Sequence, residues 1–170
     1  MRVFGIRLAT TPSDFDAARA LCREWYDWHW ANFPKDGPRS DNPMSAASFE
    51  PVIRDLELIH ARPFGGILLA ELDGRSLGCV MFQRKNEQTA EINRFFVGAA
   101  GRGHRLGQRL LEAMFDQMRD DGYKHVMFSS AVFLTHARAL YEKVGFVDMP
   151  QPEEFPQRLR DFVYFMERPL

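Results

Sequence analysis

The sequence is poor in cysteine and in long apolar runs. Its two cysteines, Cys22 and Cys79, are too few for a disulfide framework and lack the C-x-x-C spacing of a zinc site or redox pair. We interpret both as small buried hydrophobic residues. No run approaches the roughly 18 apolar residues that a membrane span needs, and Arg2 and Arg7 interrupt the N-terminal apolar residues too early for a signal peptide. These absences predict a soluble, reducing, cytoplasmic setting without a membrane partner.

The sequence also has no large excess of positive or negative charge. The 22 Lys and Arg residues face 23 Asp and Glu residues, so the formal net charge is −1 and the strong positive field of a nucleic-acid binder is missing. We therefore expect no nucleic-acid partner and only local phosphate recognition. The sequence has no internal repeat or low-complexity tract, and its 170 residues are 45% hydrophobic. This composition predicts one globular domain over residues 1–170.

The N-terminal part predicts a strand, two helices and a long loop. Val3–Ala9 has the pattern of a strand, and Thr11 followed by proline is a helix start, with apolar residues at helical spacing as far as Ala31. Asn32–Ser45 contains three prolines and a glycine and predicts a loop, whereas Ala46–His60 is a weaker helix.

The rest of the chain alternates strands with two helices. The apolar stripe over Leu106–Met118 predicts a helix that ends before Gly122, and Leu134–Val144 predicts a second one. The order β-α-α-β-β-β-α-β-α-β-β predicts an α/β domain of the α+β type, with a mixed, largely antiparallel sheet flanked by helices. The predicted strands of this part are Ile67–Leu72, Ser76–Gln83, Ala90–Val97, His125–Ala131, Phe146–Val147 and Asp161–Glu167.

A glycine-rich turn, Gly101–Gln108, lies between a predicted strand and a predicted helix. Helix N-terminal N–H groups favour an anion, and Arg102, His104, Arg105 and Arg109 concentrate positive charge there. The turn lacks the Gly-Lys-Ser/Thr of a Walker loop, and its glycines miss the G-x-G-x-x-G dinucleotide spacing by one residue. We interpret the turn as a phosphate cradle.

Three motifs resemble the GNAT superfamily of N-acetyltransferases. Arg102-x-x-x-x-Gly107 is similar to its acyl-CoA pyrophosphate loop, Q/R-x-x-G-x-G/A, with Arg105 at the first glycine position. Ala90–Val97 looks like the family's fourth strand, and Ala137–Phe146 resembles its A-x-x-L-Y-x-x-x-G-F ending.

The resemblance covers nearly the whole chain, although Leu134 stands where many members carry Asn. It implies that the cosubstrate is acetyl-CoA, with no metal required. The cofactor-binding residues that the turn and the resemblance indicate are Phe96, Val97, Arg102, Gly103, His104, Arg105, Gly107 and Gln108.

Acetyl transfer to an amine needs a base for the amine and an acid for the departing thiolate. Glu91 is the candidate base, because it precedes Arg102 by a spacing similar to that in histone-type members of the family. The alternative is an ordinary strand glutamate on a solvated face. Tyr141 occupies the family's tyrosine position and is the candidate acid, with core packing as its alternative.

Strict alternation would place Glu91, Asn93, Phe95 and Val97 on one face of their strand and Arg94 on the other, otherwise apolar, face. A β-bulge near residues 93–95 would resolve this conflict. The resemblance implies such a distortion, with the next strand splayed away and backbone N–H groups near Phe96 and Val97 freed for the cofactor arm.

The acceptor site is less defined. Aromatic residues crowd the end of the first helix, which borders the acceptor cleft in the fold that the resemblance implies. We therefore expect them to line that pocket, with core or homodimer packing as alternatives. His29 and His60 are alternative bases, and the proline-rich segment 148–160 is either a lid or a solvated loop. The aromatic residues concerned are Trp25, Tyr26, Trp28, Trp30 and Phe33.

We expect acetyl transfer from acetyl-CoA to a primary amine, of a small molecule or a peptide, by direct attack. A noncatalytic acyl-CoA-binding regulatory domain is the alternative. A nucleotide-binding oxidoreductase is disfavoured, because no acidic ribose partner follows a suitable second strand. Polyamine, antibiotic, amino acid and protein amine all stay open as acceptors.

Overall fold

The computed structural model describes residues 4–39, 42 and 44–170; Val3, at the start of the first predicted strand, lies outside them. The strands are β1 Phe4–Leu8, β2 Gly66–Leu72, β3 Arg75–Arg84, β4 Thr89–Val97, β5 His125–Ala131, β6 Val147–Met149 and β7 Val163–Pro169. The helices are α1 Pro12–Asn32, α2 Ala46–Arg54, α3 Leu56–Ile59, α4 Leu106–Asp120 and α5 Thr135–Lys143, with 3₁₀ turns at Ala99–Gly101 and Gln157–Leu159.

The seven strands form one sheet in the order β1-β2-β3-β4-β5-β7-β6. Every neighbouring pair is antiparallel except β4 and β5, which are parallel because helix α4 crosses between them. The predicted class, an α/β fold of the α+β type with a largely antiparallel sheet flanked by helices, is confirmed.

Helix α1 begins where its sequence predicted. The Thr11 hydroxyl accepts from the Asp14 backbone N–H at 3.2 Å, and the Asp14 carboxylate accepts from the Thr11 N–H at 3.1 Å, which closes a capping box. Arg7 on β1 donates to both Asp14 oxygens. This contact and the backbone donors hold the pKa of Asp14 well below its usual range and join the first strand to the first helix.

The helix predicted over Ala46–His60 is wrong as one element. It divides at Asp55, whose φ of −101° and ψ of 18° leave the helical region, into α2 and α3. Pro51 lies inside α2 and has no N–H to donate. The final strands are also shifted, because β6 begins at Val147 and β7 extends to Pro169.

Two apolar layers cover the sheet. The face towards α4 contains Leu110, Leu111 and Met114, all fully buried. The other face packs against α1 and α2 and includes Cys22 and Cys79, which are buried and not disulfide-bonded, as predicted.

Candidate active site

The centre of β4 contains a β-bulge. Met81 of β3 pairs with Arg94, but the next residue, Phe82, pairs with Ile92, so Asn93 is an extra residue. The bulge lies where the sequence predicted it. It also corrects the strict alternation, which would put Ile92 on the same face as Arg94: Ile92 packs with Phe95 on the α4 side, whereas Arg94 lies towards α1, beside Cys22 and Cys79.

Strands β4 and β5 separate after Glu91, where the bulge begins. Their parallel pairing covers only Thr89–Glu91 against His125–Met127. A cleft of about 1130 Å³ opens where they diverge, and it reaches from the aromatic end of α1 to the N-terminus of α4. The two strands line it with Ile92–Val97 and Phe128–Ala131.

Backbone groups of β4 face this opening. The Gly98 N–H donates to the Leu77 carbonyl of β3 at 2.9 Å. Because successive backbone groups alternate between the two edges of a strand, the N–H groups of Val97 and Phe95 point to the open side and that of Phe96 points to β3. By this alternation Phe95, rather than the predicted Phe96, joins Val97 as a donor to the cleft.

The glycine-rich turn closes one end of the cleft. Gly103 has a φ of +87°, and Arg105, with φ 55° and ψ 29°, is the left-handed N-cap residue of α4. Glycine adopts this conformation most readily, so the family's glycine position keeps its backbone geometry although arginine occupies it. The side chain of Arg105 makes no capping hydrogen bond, which leaves the first N–H groups of α4 available to an anion.

The predicted cofactor residues of the turn divide into two groups. Arg102, Gly103, Arg105 and Gly107 line the cleft with Val97 and Phe96. His104 and Gln108 do not, and the Gln108 amide donates to Glu112 at 2.9 Å. Arg109 also points away, since its guanidinium lies 3.8 Å from the centre of the Phe4 ring.

Gly107, in the first turn of α4, has little room for a side chain. A Cβ there would lie 2.9 Å from Leu140 Cδ2 and 3.1 Å from Phe95 Cζ, both side chains of the cleft. Position 107 therefore favours glycine for space, whereas position 103 favours it for its positive φ.

Tyr141 lies in the wall of the cleft. Its ring is 4.1 Å from that of Phe128 and 5.8 Å from that of Phe95, so it contacts both diverging strands. Burial, with Tyr164 nearby, strongly raises the pKa of Tyr141 and keeps the phenol protonated. Both readings of the sequence, a core residue and a hydrogen donor, fit this position.

Glu91 lies beside the cleft rather than on its surface. Its Oε1 accepts from Asn93 Nδ2 at 3.0 Å, and its Oε2 is 4.0 Å from Lys85 Nζ. Asn93 does line the cleft, and its Oδ1 is buried with no hydrogen-bond partner in the described part of the chain. The side chain of Asn93 therefore lies between the Glu91 carboxylate and the cleft.

The two histidines differ. His29 lines the cleft, and both of its ring nitrogens are buried without partners among the residues that the structure describes. Burial lowers its pKa to about 4. The ring of His60 is fully engaged: its Nδ1 donates to the Phe82 carbonyl, so Nε2 accepts from Arg94 Nη1 at 3.1 Å. His60 therefore has no free nitrogen to act as a base.

Sequence reasoning missed Asn93 and Arg94 as cleft residues. The only sequence feature that could have indicated them was a charged residue, Arg94, on an otherwise apolar face of the predicted strand. Burial lowers the pKa of Arg94, but a guanidinium stays charged at neutral pH. It therefore adds a partly buried positive charge to the cleft.

An aromatic cluster forms the far end of the cleft. Phe133, which follows β5, lies between the end of α1 and the opening, with ring centres 5.3 Å from His29 and 5.7 Å from Phe33. Trp25 and Trp28, two of the residues predicted for an acceptor pocket, also line this cleft. Tyr26 instead stacks on Phe49, at 4.3 Å, under α2.

The segment 148–160 borders the same opening through Phe155 and Leu159. Arg160 fixes its shape by donating to the carbonyls of Pro152, Glu153 and Phe155. The segment is therefore a rim of the cleft that Arg160 holds in shape, and many of its residues are exposed to solvent.

In the part of the chain that the structure describes, no three His, Cys, Asp or Glu side chains cluster as a metal site. Within the same residues, no helix combines the length and the apolar character needed to cross a bilayer.

Comparisons with known proteins agree with this geometry. The model of the Acetyltransferase (GNAT) family matches residues 22–146. A protein named "IAA acetyltransferase" from Azospirillum brasilense is 34% identical over 118 residues, which cover 68% of this chain and 74% of that protein.

Solved structures share the fold at low sequence identity. An acetyltransferase from Streptococcus agalactiae superimposes with a TM-score of 0.75 and 18% identity, covering 98% of both chains. The PaiA N-acetyltransferase from Thermoplasma acidophilum, solved in complex with coenzyme A, has a TM-score of 0.71 and 16% identity over 99% of both chains. With the family model covering most of the sequence, the chain belongs to the GNAT family of acetyltransferases.

Proposed function

We propose that this protein transfers an acetyl group from acetyl-CoA to a primary amine by direct attack. The observation that carries the proposal is the opening between β4 and β5, which joins an unpaired strand edge, a phenol and a free helix N-terminus in one cleft. Acetyl-CoA supplies an activated thioester there. The amine nitrogen forms an amide bond to the acetyl carbon and loses one proton, while the C–S bond breaks and the sulfur takes up one proton.

The turn before α4 suits the phosphates of coenzyme A. The free N–H groups at the start of α4 and the nearby guanidinium groups of Arg102 and Arg105 would bind the negative charge. The exposed Val97 and Phe95 N–H groups would hold the cofactor arm and polarise the thioester carbonyl. The coenzyme A complex of the PaiA relative supports this assignment.

The proton transfers fall to Glu91 and Tyr141. Because Glu91 lies one side chain from the cleft, we propose that it removes the amine proton through a water molecule beside Asn93. Tyr141 stays protonated through the neutral range, so it can donate to the departing thiolate.

His29 is the second candidate for the base. Unlike Glu91 it lines the cleft, and its nitrogens are uncharged and unpartnered at neutral pH. The two candidates predict different pH–rate profiles, which an experiment can separate.

The test measures release of free thiol from acetyl-CoA across an amine panel, with kcat followed from pH 5 to pH 9. Glu91→Gln should lower kcat by about 10²–10⁴-fold, the usual contribution of a general base. His29→Leu should leave the shape of the profile unchanged. The opposite result would assign the base to His29: the pH–rate profile of Glu91→Gln would overlay that of the parent protein, and the profile of His29→Leu would change.

The noncatalytic alternative has its own signature. A regulatory acyl-CoA-binding domain would bind coenzyme A in calorimetry and release no thiol with any amine. Thiol release above the rate without enzyme, together with a new amide detected by mass spectrometry, would exclude it.

A further inference from the structure

Arg94 contributes an unbalanced positive charge to the cleft. Its Nη1 donates to His60 Nε2, and His60 donates through Nδ1 to the Phe82 carbonyl, so the arginine is held by a neutral imidazole. Burial lowers the pKa of His60 to about 4, and the ring therefore stays uncharged at neutral pH. The hydrogen bond fixes the guanidinium without neutralising it.

No carboxylate within residues 4–39, 42 and 44–170 forms a salt bridge with Arg94. Other arginines of the same residues do have acidic partners: Arg7 pairs with Asp14, Arg62 with Asp121 and Arg138 with Asp148. A partly buried guanidinium without an anion is costly, and its remaining donors match the two oxygens of a carboxylate. The cleft thus offers a binding place for an anionic group.

The neighbouring residue offers the complementary contact. Asn93 Nδ2 donates to Glu91 Oε1, which leaves Asn93 Oδ1 as a buried acceptor without a partner. An amine N–H is a donor that this oxygen lacks. Adjacent residues at the bulge can therefore hold an amine and a carboxylate on the same small molecule.

The aromatic end of the cleft indicates the third group. Trp28 stacks parallel to Phe133 with ring centres 6.4 Å apart, and Phe33 meets Phe133 edge-on. Such surfaces favour an aromatic or large apolar side chain. Arg39, 5.4 Å from the centre of the Phe33 ring, adds positive charge to this region and disfavours a polycation.

We propose that the acceptor is an α-amino acid with an aromatic side chain, whose carboxylate pairs with Arg94 while its amine donates to Asn93 Oδ1. This inference rests on the proposed acetyl transfer and names its substrate class. Among the acceptors that the sequence left open, it selects the amino acid over the polyamine.

The test compares tryptophan with tryptophanamide and phenylalanine with phenylalaninamide, using thiol release from acetyl-CoA, with spermidine as the polycation. Each amide lacks only the carboxylate charge. Its ammonium group loses a proton more readily, so a preference for the acid runs against nucleophile availability. The parent protein should have at least a tenfold higher kcat/KM for each amino acid than for its amide. Spermidine should be the poorest substrate.

Arg94→Gln removes the charge and keeps a polar side chain that is shorter than arginine. It should bring the ratio of kcat/KM between each amino acid and its amide close to one, at unchanged coenzyme A affinity. Arg94→Lys should keep part of the preference. Arg84→Gln, a charge removed from β3 beside Phe64, is the matched control and should retain the full preference.

Two failures are distinguishable. Equal or better activity with the amides or with spermidine in the parent protein would overturn the amino-acid assignment and leave acetyl transfer standing. Absence of thiol release with every amine would overturn the proposed function and this inference with it. If Arg94→Gln does not fold, binding of tryptophan and tryptophanamide to the parent protein by calorimetry decides the matter, and equal affinities would refute the proposal.

Discussion

The two ends of the β4–β5 pair show how one pair of strands can perform two tasks. At the first end, Ala90 and Val126 are partners and are completely buried, so the strands form ordinary core. At the other end, beyond Asn93, the same strands line an opening with unpaired backbone and side-chain groups. One inserted residue in β4 separates a structural segment from a chemical one.

The open end is less favourable for stability than the paired end, as their side chains show. The paired end buries alanine and valine, whereas the open end keeps His29, Asn93 Oδ1 and a charged guanidinium without full partners. Unpaired buried polar groups lower stability, and they persist where they serve a ligand. The contrast predicts that substitutions at the open end affect activity and those at the paired end affect stability.

The largest effect is expected from Tyr141→Phe at the open end. Removal of the hydroxyl should lower kcat by about 10²–10⁴-fold and raise the KM for acetyl-CoA by less, since a proton given to the thiolate stabilises the transition state more than the ground state. Steady-state kinetics with the preferred amine measure both. A change in KM alone would make the phenol a binding contact.

Val126→Ala at the paired end is the matched control. It should lower the free energy of unfolding by about 2 kcal/mol through lost burial and a small cavity, and leave kcat within twofold at a temperature where it is folded. A large loss of kcat would contradict the division between the two ends.

The second prediction concerns pH. In the unfolded chain His29 titrates near pH ~6.5, and in the fold its pKa is about 4. Between these values the unfolded state binds more protons, so stability should fall as pH drops from about 6.5 to 4, by roughly 2–3 kcal/mol for this residue. His60, with a pKa of about 4, adds a similar loss.

His29→Leu should remove about half of that decline in urea unfolding measured from pH 4 to pH 7. His60 would supply the remainder. A slope equal to that of the parent protein would show that His29 titrates normally in the fold and is not buried as described.

The smallest effect is expected from Gly107→Val, which fills the space between α4 and the open end. The new side chain would meet Leu140 and Phe95, whose contacting atoms are the ends of side chains, so the protein should still fold. Coenzyme A affinity should fall at least tenfold, ~1.4 kcal/mol, because the side chain obstructs the free N–H groups.

Gly5→Val provides the control for that substitution. A Cβ at Gly5 meets nothing within 4 Å, so the same change in residue type should leave coenzyme A affinity unaltered. Unchanged affinity in a folded Gly107→Val variant would refute the assignment of the turn.

Much of the fold could be predicted because its signals are local. The stripe of Leu110, Leu111 and Met114 defines helix α4 without knowledge of its partner, and Arg94 in an apolar pattern revealed the bulge. The division at Asp55 could not be predicted, because a helix with an internal proline can continue or stop according to its tertiary contacts.

The candidate site was less accessible to sequence reasoning. The loop and Tyr141 stand in recognisable motifs, whereas the importance of Asn93 depends on which of its neighbours leave its oxygen unpaired. Likewise, the sequence cannot show that His60 is occupied and His29 free, since their partners come from distant strands and helices.

The sheet consists of two antiparallel halves, β1–β4 and β5–β7–β6, that share only three residue pairs. Because so few residue pairs join the two halves, each half can unfold locally without unfolding of the other. Amide hydrogen exchange should therefore show different protection in the two halves. A ligand in the cleft that contacts both β4 and β5 would connect the two halves where the strands themselves do not pair. Its binding would couple the halves into one cooperative unit.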